Sequence, residues 1–185
     1  MKKKLLCFCV SSLLLFDAFS QQPTEQKNAK QDKGVFLSAG VALPLGDFSS
    51  THLMGITVEV SPSYHKFKSN NSGFSKLALT YSGGIAYYLG KKETVSNHTY
   101  KYPGYIFIHG FGGIIYVPTK KIESTLTAGP ALGIYNGNTQ FNIGAKLDLA
   151  YQVNDKIAVG PGIIMMKEFG ANSLWSVSVK ASIKL

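Results

Sequence analysis

The sequence predicts an all-β fold, a closed meander of eight antiparallel strands, and three observations carry that expectation. Helical spacing of apolar residues is nowhere sustained, whereas period-two alternation recurs from residue 33 to residue 185. The alternating runs are longer than the ~5–6 residues usual for globular strands. Clusters of turn-forming residues separate one run from the next, as in a chain that doubles back at every step.

The segment before the first run has a different character. Lys2, Lys3 and Lys4 form a basic start, Leu5 to Phe16 an apolar stretch, and Ala18-Phe19-Ser20 small residues where a signal peptidase reads. That stretch is shorter than the ~20 apolar residues a helix needs to span a bilayer. Residues 1–20 are therefore expected to be a signal peptide, with the mature chain starting at Gln21. Residues 21–32 are polar and aperiodic and read as a flexible leader. The barrel domain then occupies residues 33–185. Both cysteines, Cys7 and Cys9, lie in the signal, so the mature chain is expected to hold no disulfide. The 19 basic residues are all lysine, against 10 acids, for a formal charge of +9. Removing Lys2, Lys3, Lys4 and Asp17 leaves 16 lysines and 9 acids, or +7.

The strands follow in order. The first sets Val35, Leu37, Ala39, Val41 and Leu43 on one face against Phe36, Ser38, Gly40 and Ala42. In the second, Ile56, Val58, Val60, Pro62 and Tyr64 oppose Thr57, Glu59, Ser61, Ser63 and His65. The third places Leu77, Leu79, Tyr81, Ile85, Tyr87 and Leu89 opposite Lys76, Ala78, Thr80, Ser82, Gly84 and Ala86. The fourth, Tyr105 to Val117, is apolar on both faces and its phase stays open. The fifth sets Ile122, Leu126, Ala128, Pro130, Leu132 and Ile134 against Glu123, Thr125, Thr127, Gly129 and Gly133. The sixth alternates most regularly: Phe141 to Val153 in odd positions, with Asn142, Gly144, Lys146, Asp148, Ala150 and Gln152 between them. In the seventh, Ile157, Val159, Pro161, Ile163 and Met165 oppose Ala158, Gly160, Gly162, Ile164 and Met166. The eighth sets Trp175, Val177, Val179, Ala181, Ile183 and Leu185 against Ser176, Ser178, Lys180, Ser182 and Lys184. Turns are expected at 44–54, 68–73, 90–104, 118–121, 136–138, 154–155 and 168–172.

Eight such strands close naturally into a barrel, which removes exposed edges. A soluble lipocalin-like barrel would turn its apolar face inward, and an outer-membrane barrel would turn it toward lipid. The second face decides between them. It is mostly Gly, Ala, Ser and Thr with isolated charges, which suits a narrow interior better than a water-facing surface. The fold class is therefore an eight-stranded antiparallel up-and-down transmembrane β-barrel. With both termini periplasmic, Tyr87, Tyr105, Phe141 and Trp175 fall near the outer ends of the lipid face, and Tyr64 and Tyr151 near the inner ends. Phe141 to Tyr151 is ~33 Å at ~3.3 Å per residue. A tilt of ~40° reduces this to ~25 Å, the height of a lipid-facing band. The outer loops are then 44–54, 90–104, 136–138 and 168–172.

The first strand closes with Gly40-Val41-Ala42-Leu43-Pro44-Leu45-Gly46-Asp47-Phe48. With the exported eight-strand pattern over residues 33–185, this stretch resembles the small outer-membrane β-barrel proteins common in Bacteroidota, often labelled porin-family proteins. Their architecture is similar to that of outer-membrane proteins A and X. The alternating C-terminal strand is similar to the signal read by the barrel-insertion machinery, although it ends in Leu185 instead of Phe or Tyr. The resemblance implies fold and bacterial outer-membrane location, and it carries over no catalytic residue.

Sites for chemistry are scarce. His52, His65, His98 and His109 show no H-x-x-x-H spacing, and the mature chain lacks cysteine, so neither metal nor cofactor is expected. Gly84 and Gly90 before Lys91-Lys92 do not make a phosphate loop. Absence of Arg speaks against nucleic acid as a partner. A rim hydrolase acting on lipid A or peptides is the alternative, with His98, Asp47, Ser49 or Ser50, and Glu168 supplying residue types. The favoured expectation is a non-enzymatic monomer, acting structurally or through its outer loops in adhesion. Its partners would be outer-membrane lipid and lipopolysaccharide, with Lys91, Lys92 and Lys101 placed to meet phosphates. The inward charges Glu59, His65, Lys76, Glu123, Lys146, Asp148, Lys180 and Lys184 should pair into a network that fills the lumen and blocks conduction.

Overall fold

The structure is a computed structural model, and it describes residues 34–62, 77–96, 98–119, 121–168 and 173–185. Strand β1 (Val35–Leu45) leads through helix α1 (Asp47–Thr51) into β2 (His52–Pro62) and β3 (Leu77–Gly90). Two short strands, β4 (Lys92–Val95) and β5 (His98–Lys101), precede β6 (Tyr105–Thr119) and β7 (Ile122–Tyr135). The chain ends with β8 (Asn138–Gln152), β9 (Ile157–Glu168) and β10 (Ser173–Lys184). The expected signal, the leader, Tyr64, His65 and Lys76 lie outside the described residues.

A closed barrel runs β1-β10-β9-β8-β7-β6-β3-β2, while β4 and β5 pair only with each other. Each barrel strand thus lies antiparallel beside the next barrel strand in the chain, and β10 returns to β1 through Phe36↔Lys184 to Leu45↔Trp175. This is the eight-stranded up-and-down barrel that the alternation predicts.

The ends expected to face outward are more ordered than the turn signals suggest. β1 continues to Leu45 and β2 already begins at His52, so the expected turn at 44–54 shrinks to Gly46 and the five-residue α1. Gly46 adopts a φ of 57°, a left-handed conformation that costs glycine little. Phe48 of α1 is buried and packs over the barrel's end against Tyr88, with ring centroids 4.9 Å apart. The expected loop at 90–104 folds into the β4–β5 hairpin, Lys92↔Lys101 to Val95↔His98. Between β7 and β8 only Asn136 and Gly137 turn, both at positive φ, as a two-residue hairpin requires.

β6, whose phase the sequence leaves open, turns Tyr105, Phe107, Phe111 and Ile115 inward and leaves Ile108, Ile114 and Tyr116 exposed. Large rings fit inside a narrow barrel because neighbouring strands offer glycine. A Cβ at Gly144 would stand 2.5 Å from Phe111 Cζ. The interior is therefore layered. Its outer half holds an aromatic and apolar cluster of Phe48, Tyr88, Tyr105, Phe107, Phe111 and Met166. The inner half is mostly polar, with Ile115 and Ala78 also buried there. The lumen that the inward charges were expected to fill is thus shared with aromatic side chains.

Candidate functional site

The polar layer is an ion cluster that bridges the lumen. Glu59 of β2 accepts from Lys146 of β8, and these two strands lie four places apart in the ring of eight, on opposite walls. Lys146 also lies 3.1 Å from Asp148, and Lys180 of β10 lies 2.6 Å from Asp148 and 3.6 Å from Glu59. Two carboxylates and two ammonium groups balance, so the cluster is formally neutral. The partners come from non-adjacent strands, and several of the adjacent positions are glycine. Lys180 is flanked by Gly40 and Gly160, Glu59 by Gly84, and Asp148 by Gly162. Glycine beside a charge leaves room for its side chain within the narrow bore: a Cβ at Gly40 would stand 2.7 Å from Lys180 Cγ.

His109 joins the two layers. Its ring packs on Phe111 and Phe107, with centroids 4.5 and 5.3 Å away, and Nε2 lies 3.7 Å from Glu59. Nearer the inner end, Gln152 donates to Glu123 at 2.5 Å, and the Ser38 and Ser182 hydroxyls meet at 2.7 Å. Lys184 packs by Gly34, where a Cβ would come 2.6 Å from Lys184 Cε. The structure thus gathers Glu59, Lys146, Asp148 and Lys180 into one cluster, and places Glu123 and Lys184 toward the inner end.

On the outside, Tyr87, Phe141, Tyr151 and Trp175 are all exposed, amid a continuous apolar wall that includes Leu79, Leu126, Leu147 and Val179. Tyr105 is a correction. It is only 4% exposed, because the phase of β6 turns it inward. Its hydroxyl donates to Glu168 at 2.6 Å and accepts from Asn142 Nδ2 at 3.1 Å.

Tyr105 belongs to a second feature, a cavity of about 330 Å³ at the barrel mouth beside α1. α1 and the outer ends of β2, β6, β7, β8, β9 and β10 wall it. His52 lines it, 4% exposed, with Nδ1 2.8 Å from the Thr51 hydroxyl. The sequence reading missed this site. Its one legible sign was the aromatic row of β6, which a search for spacing motifs does not register.

Of the residue types proposed for a rim hydrolase, Asp47 and Glu168 line this cavity, whereas Ser49, Ser50 and His98 bond to backbone carbonyls. The Ser49 and Ser50 hydroxyls donate to the carbonyls of Gly46 and Asp47 at 2.7 and 2.6 Å. His98 Nδ1 lies 3.3 Å from the Ser96 carbonyl in the β4–β5 hairpin. Among the described residues no group of three or more His, Cys, Asp or Glu is arranged to hold a metal ion.

Neither a known family model nor a curated protein matches the sequence. Solved structures match in fold. Ail, the attachment invasion locus protein of Yersinia pestis, solved with the heparin analogue sucrose octasulfate, aligns at a TM-score of 0.57 and 9% identity. That match covers 84% of this chain and 100% of Ail. The fold is that of the small outer-membrane β-barrels. The outer membrane enzyme PagL aligns at a TM-score of 0.54 and 13% identity, over 80% of this chain and 98% of PagL. Ail in a phospholipid bilayer nanodisc gives 0.55 at 8% identity, over 83% and 100%. At such identities the likeness is one of fold.

Proposed function

We propose that the protein is a non-enzymatic, integral barrel of the bacterial outer membrane whose lumen is sealed, and that it acts structurally or through its outer loops in surface interaction or adhesion. The observation that supports this reading best is the pairing of Glu59 with Lys146 across the lumen inside an otherwise apolar-walled barrel. A row of charges that neutralise one another in the bore closes it, whereas a pore would leave them lining water. Beside the cluster, about 60 Å³ of space remains, enough for a few ordered waters and not for a hydrated ion path. Planar-bilayer recordings of the purified barrel are expected to show no steady conductance. Reproducible single-channel steps would overturn the seal.

The lipid-facing assignment has its own test. Leu147 lies midway along the outward row between Phe141 and Tyr151, and is 42% exposed. In a bilayer, Leu147→Arg is expected to destabilise the barrel by ~2–4 kcal/mol, the cost of a cation near the midplane. A water-facing strand would tolerate it, and urea titration in liposomes reads the difference.

Both termini are periplasmic in this reading, since eight strands return the chain to its starting side. The mature chain follows removal of residues 1–20, the barrel-insertion machinery reads the C-terminal strand, and the Pro44–Phe48 stretch supports kinship with Bacteroidota porin-family barrels. A cysteine at Ser96, in the exposed β4–β5 turn, should then react with an impermeant thiol reagent on intact cells. One at Asp155, in the β8–β9 turn, should not. The reverse labelling would invert the orientation. Lipopolysaccharide is the proposed neighbour of Lys92 and Lys101, both exposed on that hairpin.

A further inference from the structure

Two breaks in the barrel wall carry the same dipeptide. β7 contains Gly129-Pro130, and β9 contains Gly160-Pro161. Between β6 and β7 the pairing runs to His109↔Ala131 and resumes at Gly112↔Ala128, skipping Gly110 opposite Pro130. Between β8 and β9 it runs to Asp148↔Gly162 and resumes at Tyr151↔Val159, skipping Leu149 opposite Pro161. The register is the same on both sides of each gap, so neither is a bulge. Proline is the cause, because it has no N–H to give the ladder. The carbonyl opposite each proline is left without the donor its ladder would supply. Each carbonyl lies against the glycine that precedes the proline. A Cβ at Gly129 would stand 2.5 Å from the Gly110 oxygen, and one at Gly160 would collide with that of Leu149.

Both breaks lie in the lipid-facing band. Pro130 stands opposite Ile143, two residues from Phe141 along β8, and Leu149 is two residues from Tyr151. Each is thus equally close to an end of the band. An unmet backbone group there is costly, because lipid tails cannot satisfy it.

What lies behind the two breaks differs. Phe111 backs the first, within the aromatic layer. The second is backed by the polar cavity of about 60 Å³, which Leu149, Ala150 and Gly160 line together with Asp148 and Lys180. Leu149 turns its side chain to the outer wall, so its backbone is what borders this space. Lys180 stands opposite Gly160 on the next strand, which makes ion cluster, cavity and broken seam contiguous. None of Gly110, Phe111, Gly129 and Pro130 lines the cavity. A space of that size holds water where a few polar groups surround it, and Asp148, Lys180 and the Leu149 carbonyl do so.

We propose that the β8–β9 seam is a water site in the barrel wall. Lumen water takes the place of the missing donor at the Leu149 carbonyl, and the two strands part there more readily than at the dry Gly129-Pro130 break. The inference goes beyond the sealed-barrel reading and takes from it only the lipid-facing wall.

Two measurements on the full mature barrel in micelles test it. Pro130→Ala and Pro161→Ala each return an N–H to the ladder, and each frees the unfolded chain to the same degree. At the dry break the new donor meets a carbonyl that has none. At the wet break it only displaces water, an exchange of nearly equal hydrogen bonds. Pro130→Ala is therefore expected to raise the urea midpoint, and Pro161→Ala to leave it unchanged or lower it. Residue-resolved hydrogen exchange reads the seam directly. The Leu149 amide is expected to exchange about tenfold faster or more than that of Gly110. It should outpace by as much the amide of Lys180, which sits beside Gly160 in the complete β9–β10 pairing. Pro161→Ala should narrow both differences. A midpoint gain in Pro161→Ala as large as that in Pro130→Ala, or Leu149 exchange no faster than at Gly110 and Lys180, would overturn the water site. Those results leave the sealed outer-membrane barrel standing. Steady conductance would sink that reading without closing the seam.

Discussion

Glu59→Ala is expected to be among the most damaging single substitutions in the barrel, lowering its stability by ~3–5 kcal/mol. The carboxylate lies between Lys146 and Lys180 and beside His109. Its removal leaves two buried ammonium groups sharing Asp148 alone. Neither can turn back to water, since both lysine side chains are about a tenth exposed or less. The loss therefore reflects an uncompensated buried charge more than the strength of the pairs themselves, because much of the attraction merely offsets desolvation. Asp148→Ala removes the other carboxylate and should cost a similar amount. Combining Glu59→Ala with Lys146→Met restores neutrality in the bore, and should recover part of the loss if charge imbalance is its cause. Urea unfolding of the micelle-folded protein measures all of these. Near-neutral single substitutions would show the cluster to be hydrated and the seal to be incomplete.

Phe107→Ala is expected to destabilise by a comparable ~3–5 kcal/mol, for a different reason. Phe107 is fully buried in the aromatic layer, within 5.3 Å of the His109 ring and 6.3 Å of Phe111. The barrel wall is hydrogen-bonded all the way round and cannot collapse to fill a ring-sized hole, so the cavity penalty should persist. Ile108, the next residue, is 40% exposed on the outer wall. Ile108→Ala should cost far less in the same assay. Equal losses at both positions would indicate that β6 faces the other way.

The contrast between these two residues marks where sequence reading stops. Fold and strand count were legible because the constraint is local: a strand with one apolar and one small or polar face has to alternate, and seven of the eight runs do so visibly. The third, fifth and sixth runs take the phase that Tyr87, Leu126 and Leu147 suggest, because opposite faces of a strand cannot be exchanged without moving every side chain. In β6 both faces are apolar, one toward the outer wall and one toward the aromatic layer. Alternation of polarity then carries no information, and Tyr105 was assigned to the wrong side.

The lumen shows the same division. That Glu59, Lys146, Asp148 and Lys180 face inward follows from their positions in alternating strands. Which of them touch does not, because contact across a barrel depends on how strand order and register bring opposite walls together. The glycines beside three of the four charges are written in the sequence, yet their purpose appears only when Gly40 and Gly160 are seen flanking Lys180. The mouth cavity lies furthest from the sequence. His52, Tyr105, Asn142 and Glu168 come from four strands and share no motif, so closure of the barrel alone makes them neighbours. Local alternation determined the wall of this protein, and the closed tertiary structure decided what fills it.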